Sequence, residues 1–139
     1  MLTKLTLANA QRAVNHALEL SEMVYQNRPL SVAVCDKQGF LLAFARMDAA
    51  KLLTIELTQR KAYTSSRMGC QTDAFLLRLQ KEQLDISYFG DDRFTALPGG
   101  IPLLDENKQC IGAVAVGGLS AKEDHEAAVS VAQFLHELA

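Results

Sequence analysis

The stretch LPGGIPLLDENKQCIGAVAVGG, residues 97–118, decides the fold. Two apolar runs, GIPLL and CIGAVAV, bracket the polar tip Asp105-Glu106-Asn107-Lys108, the pattern of a β-hairpin. A glycine pair stands at each end, Gly99-Gly100 and Gly117-Gly118. Paired glycines mark places where another group approaches the backbone or where a side chain would clash. Gly99-Gly100 follows Pro98 and precedes a run holding Pro102, which reads as an edge or bulge device facing another subunit. Gly117-Gly118 lies between a strand end and a helix start. There, backbone N–H groups and the helix dipole can hold an anion. Alternatively, the glycines only shape the turn and let the helix pack closely.

Working outward, LSVAVCDKQGFLLAFARMD (30–48) reads as a second hairpin, with strands near 30–36 and 39–46 and a turn at Asp36–Gly39. The first hairpin's strands fall near 101–104 and 110–116. Thr6 can cap a helix from Leu7, in which Ala10, Ala13, Val14, Ala17, Leu20 and Val24 recur at helical spacing. That helix must stop before Pro29. Thr54 is read as the cap of a helix through Met68 that Gly69 ends, and Thr72 as the cap of a shorter one over DAFLLRLQ. Ser120 and Glu123 form a capping box for a last helix with an apolar stripe at Ala128, Val131, Ala132, Leu135 and Leu138. Two hairpins and the amphipathic helices that cover them predict an α+β layered domain of the profilin or PAS-like kind, with a mainly antiparallel sheet.

At 139 residues the chain reads as a single domain, 1–139, large enough to bury a core without disulfides or metals. A net charge of −2 and scattered basic residues give no field for nucleic acid or an anionic membrane. No apolar run can span a bilayer, and the first residues lack a secretory-signal pattern, so a cytoplasmic protein is expected. The three cysteines, Cys35, Cys70 and Cys110, show no metal-ligand spacing and read as free thiols, Cys35 and Cys110 as small buried residues.

Several side chains could carry chemistry. Arg46 could pair with a carboxylate ligand and Asp48 accept from backbone N–H groups, or the two could simply contact each other. Lys61 lies in a helix that packs on the sheet. It is either exposed, or ion-paired, or buried with a lowered pKa as a base or Schiff-base lysine. His125 and His136 are eleven residues apart, about 16 Å along a helix, so they cannot share one metal ion. They read as solvated or capping residues. On the first helix Arg12, His16, Leu20 and Met23 fall one turn apart or nearly so. That flank suits a flat apolar ligand with carboxylate tails, and equally a subunit interface. There is no HExxH, P-loop or GxSxG elbow, and no aromatic platform with basic flanks for single-stranded nucleic acid.

Four segments resemble a known family. SVAVCDKQGFLLAFARMDAA is similar to its "aVvD-x-x-G-x-l-l-a-x-x-R-M-D-g-A", TQRKAYTSSRM to "A-x-x-K-A-y-t-A", PGGIPLLDENKQCIGAVAVGG to "GGxPl…xxxIGaiGvSG", and SAKEDHEAA to the helix start that follows. The chain resembles the GlcG/HbpS-like family, also found as the C-terminal domain of PduO-type proteins. Ala115 stands in place of a glycine of the pattern, and Gly117 in place of a serine. The resemblance implies a five-stranded antiparallel sheet with flanking helices. The profilin-like layout puts its strands in the order 2-1-5-4-3, with an extra short strand near Arg93. It also implies a homo-oligomer, from dimer to octamer, haem binding in some members, and a setting in glycolate, propanediol or glycerol metabolism.

The expected function is a cytoplasmic, oligomeric, ligand-binding accessory protein that takes haem, with His16 as the iron ligand, Arg12 near a propionate, and Leu20 and Met23 under the porphyrin. The rivals are a small enzyme acting on a carbonyl or carboxylate compound through Lys61, Arg46 and Asp48, and a purely structural partner of a diol- or glycerol-processing system. Catalysis is the less expected of these readings.

Overall fold

Local signals set most of the elements in the computed structural model, which describes residues 2–138. Thr6 caps α1 (Leu7–Met23) by accepting from Asn9 N–H at 3.1 Å. The chain turns back through Gln26 and Asn27, both left-handed, into β1 (Ser31–Asp36). Asp36 carbonyl accepts from Gly39 N–H at 3.0 Å to make the turn into β2 (Leu41–Arg46). Then come α2 (Leu53–Met68), ended by left-handed Gly69, and α3 (Thr72–Glu82). A single 3-10 turn, Ile86–Phe89, precedes β3 (Gly100–Leu104) and β4 (Cys110–Gly117). The Ser120–Glu123 capping box starts α4 (Ala121–Glu137).

The strands form one antiparallel sheet of four, in the order β2-β1-β4-β3. The expected order holds for these strands, but the fifth is absent: no strand forms near Arg93. That segment is occupied by side-chain contacts instead. Asp91 accepts from Arg93 N–H at 3.0 Å and from the Tyr63 hydroxyl at 2.6 Å. Arg93 lies 4.5 Å from the Tyr63 ring centre, and Phe94 stands edge-on to Phe75. A turn held this way cannot present the straight N–H and C=O row a ladder needs.

The alternation of the two central strands divides the core. Val32, Val34, Val114 and Val116 face α1 and α4, where Ala10, Ala13, Ala17, Ala128, Val131 and Leu135 meet them. Ala33, Cys35, Ala113 and Ala115 face α2 and meet Ala62. A fully buried valine contributes about 1.5–3 kcal/mol and an alanine much less, so the α1–α4 side carries most of the apolar stabilisation. The alanine side lets α2 lie close to the sheet. Its buried face is correspondingly polar: Thr54, Thr58, Lys61, Thr64, Ser65 and Ser66.

Two expected caps are corrected by this packing. Thr54 lies inside the first turn of α2, not before it. Its hydroxyl meets Ser31 Oγ at 2.9 Å and donates to Lys51 carbonyl at 2.6 Å. Thr72 is the first residue of α3, and its hydroxyl accepts from Gly100 N–H at 3.0 Å. Both hydroxyls serve tertiary contacts that outcompete a local cap.

Candidate functional site

Helical spacing puts Thr54, Thr58 and Lys61 on the face of α2 that meets the sheet. Lys61 is 2% exposed. Its Nζ donates to Val116 carbonyl at 3.0 Å and to Asp124 Oδ2 at 3.1 Å. Asp124, in the first turn of α4, is 4% exposed, and its Oδ1 accepts from Leu119 N–H at 2.9 Å. Burial pushes the lysine's pKa down and the aspartate's up. Each charge opposes the other's shift, the usual condition for an ion pair to persist inside a protein.

Three of the four paired glycines, Gly99, Gly100 and Gly117, stand against this lysine. A Cβ on Gly99 would lie 2.5 Å from Val116 carbonyl and 2.9 Å from Lys61 Nζ, and its φ of +129° disfavours any side chain. A Cβ on Gly100 would lie 2.5 Å from the Lys61 carbonyl oxygen. One on Gly117 would collide with the Thr58 hydroxyl. Gly99 and Gly100 are buried within the chain, and the groups that approach them come from β4, α2, α3 and α4, so the close contact expected there with a second subunit is made inside the chain instead. Gly118, at φ +109°, turns the chain over Pro29 and Leu30 toward the α4 cap.

The Thr58 hydroxyl is buried and has no hydrogen-bond partner among the described residues. It fills the space a side chain at Gly117 would take.

Above the pair lies a cleft of about 230 Å³. Lys61 and Asp124 are in its lining, with Leu57, Leu97 and Leu119 as apolar walls and exposed Lys51 as a further cation. The lining also includes Gly118 and Ala121, where α4 begins. Arg46 and Asp48 are not brought to it. Both are exposed, and no ion pair joins them among the described residues. Arg46 pairs with Ser31, which pairs with Gly117, so it stands two strands away on the sheet edge.

The α1 flank is built differently from its expectation. His16 is half-buried, and its ring stacks on Phe134 of α4 at 4.2 Å between centres and 3° between planes. Arg12, Asn15, His16, Glu19 and Phe134 line a depression of about 240 Å³. Leu20 instead packs into the core, and Met23 is 79% exposed beyond the depression, so neither forms its floor. The apolar surface comes from Phe134, which sequence reasoning missed. It flanks the α4 stripe, and only the α1–α4 crossing makes it a neighbour of His16.

The remaining polar candidates stay apart. His125 Nδ1 is 3.4 Å from Asp73 Oδ2 on α3, and both residues retain a buried atom with no hydrogen bond among the described residues. His136 is in the last turn of α4. No cluster of three or more metal-ligating side chains occurs among the described residues. The cysteines are free. Burial pushes the Cys35 thiol up to about 12, which makes it a packing group and not a nucleophile. Cys110 is only half-buried. Among the described residues, no helix is long and apolar enough to cross a membrane.

Comparison with known proteins adds to this geometry. Residues 5–133 match the family described as "Haem degrading protein HbpS-like". The chain is 30% identical to protein GlcG of Escherichia coli K12 over 116 residues, 84% of each chain. A crystal structure of a double mutant of HbpS from Streptomyces reticuli is similar at a TM-score of 0.84 and 27% identity, covering 97% of this chain and 89% of that one. The structure of a PduOC–haem complex is similar at a TM-score of 0.82 and 21% identity, covering 94% of both chains, which is a likeness of fold. The chain belongs to the HbpS-like family.

Proposed function

We propose that this protein is a haem-binding accessory protein, with His16 as the iron ligand. The observation that carries the reading is the His16–Phe134 stack beside Arg12. Stacking covers a face of the imidazole and fixes the ring's orientation, while metal ligation uses a nitrogen in the ring plane. No hydrogen bond within the chain engages those nitrogens among the described residues. Phe134 offers an aromatic edge to a macrocycle, and the Arg12 guanidinium suits a propionate. Bound haem would supply the iron chemistry; this chain's residues hold and orient it.

Family membership and the haem complex of a protein with the same fold support the reading. The depression, at about 240 Å³, is smaller than the ~300–1,000 Å³ of pockets that enclose drug-sized ligands. A second surface must therefore cover the other face of the porphyrin. That favours a homo-oligomer, between dimer and octamer, over a monomer. We place this protein in the cytoplasm, in glycolate, propanediol or glycerol metabolism, on the resemblance of its sequence motifs. Absorbance titration with haemin tests the haem reading: a saturable Soret shift that weakens in His16→Ala is expected. Absence of any saturable shift would leave a structural-partner role as the better account.

A further inference from the structure

The cleft above Lys61 and Asp124 is separate from the His16 depression and shares no lining residue with it. A lysine ammonium has three donors. Two of Lys61's are used, by Val116 carbonyl and Asp124, and the third has no partner among the described residues. The lining carries two cations, Lys51 and Lys61, against the one carboxylate of Asp124, so it favours an anion. Leu57, Leu97 and Leu119 add an apolar wall.

From these groups we propose that the cleft binds a small 2-oxo acid, with its carbonyl carbon at Lys61, and that Lys61 forms a reversible imine with it. The ligand's carboxylate lies toward Lys51 and the start of α4, where the Ala121 N–H has no intrahelical acceptor. Its short apolar chain lies on the leucines. In the step, Nζ passes a proton to Asp124, 3.1 Å away, and attacks the carbonyl carbon. The new C–N bond forms, and the carbonyl C–O bond breaks. The oxygen leaves as water with two of the ammonium's three protons, relayed by Asp124, and the third stays on the iminium nitrogen. Asp124 then faces that cation as it faced the ammonium. No oxidant or further co-reactant is needed. Burial supports the transfer, because it disfavours the charged forms of both partners and so eases the proton from lysine to aspartate.

The test uses the full chain with pyruvate as the probe and sodium borohydride as the trap, read by intact mass and peptide mapping. One reduced adduct per chain on Lys61, formed ahead of any on exposed Lys51, is expected. Because Lys61 variants lose the buried ion pair and with it stability, the control is Leu57→Trp, which fills the cleft and leaves the ion pair intact. A normally melting Leu57→Trp protein should lose the adduct. Absence of an adduct, adducts spread over exposed lysines, or unchanged labelling in Leu57→Trp would each overturn the proposal. None of these outcomes bears on the haem titration of His16.

Discussion

Lys61 on α2 and Asp124 on α4 meet at 3.1 Å across the end of β4, in a space that exists because Gly99 and Gly117 carry no side chains. The pair ties together helices that cover opposite faces of the sheet. It is 63 residues apart in sequence and almost fully buried.

Removing one partner should cost far more than removing both. Lys61→Met leaves a buried carboxylate with no counter-charge, and we expect about 3–5 kcal/mol of lost stability. Lys61→Met with Asp124→Leu replaces the pair by apolar groups and should recover most of that loss. Urea unfolding of the two variants measures it. Equal destabilisation by the single and double variants would show that the pair is not coupled.

The contact of Thr58 with Gly117 predicts a second coupling. Gly117→Ser alone drives a side chain into the Thr58 hydroxyl and should cost about 1–3 kcal/mol through overpacking. Thr58→Ala with Gly117→Ser removes the collision and should restore stability. Additive losses in thermal melts of the two single variants and the double variant would contradict the coupling.

Glu123 gives a pH prediction. Its carboxyl is pulled down to about 2, first by Arg28 and then by the Ser120 cap. A depressed folded-state pKa contributes stability that is present above the unfolded value near 4.5 and is lost as pH falls toward 2. Between those limits the wild type should lose stability faster than Glu123→Gln, which has no such group to protonate. Parallel acid-unfolding curves for the two proteins would refute the assignment.

What the sequence disclosed depended on distance along the chain. The Asp36–Gly39 turn, the Thr6 cap, the Gly69 stop and the Ser120–Glu123 box are set by residues within four positions of each other, and all are legible. Thr54 and Thr72 have the right local chemistry for caps, yet Ser31 and Gly100 claim their hydroxyls from other elements. The fifth strand failed because Tyr63 and Asp91 hold the Arg93 segment, a contact with no local signature. The same limit hid Asp124 as the partner of Lys61 and Phe134 as the neighbour of His16. A helical stripe predicts which residues line up on one helix, but not which helix crosses it. Leu20 and Met23 were therefore grouped with His16 by spacing, while Leu20 packs partly buried against the core and Met23 stands in solvent.

The most direct test of the central claim is a haemin titration of the wild type, His16→Ala and Phe134→Ala, followed in the Soret band. The account predicts a saturable shift in the wild type, loss of that band position in His16→Ala, and weaker binding with the band position kept in Phe134→Ala, where the ligand remains but its orienting ring is gone. Identical spectra and affinities for wild type and His16→Ala would contradict it.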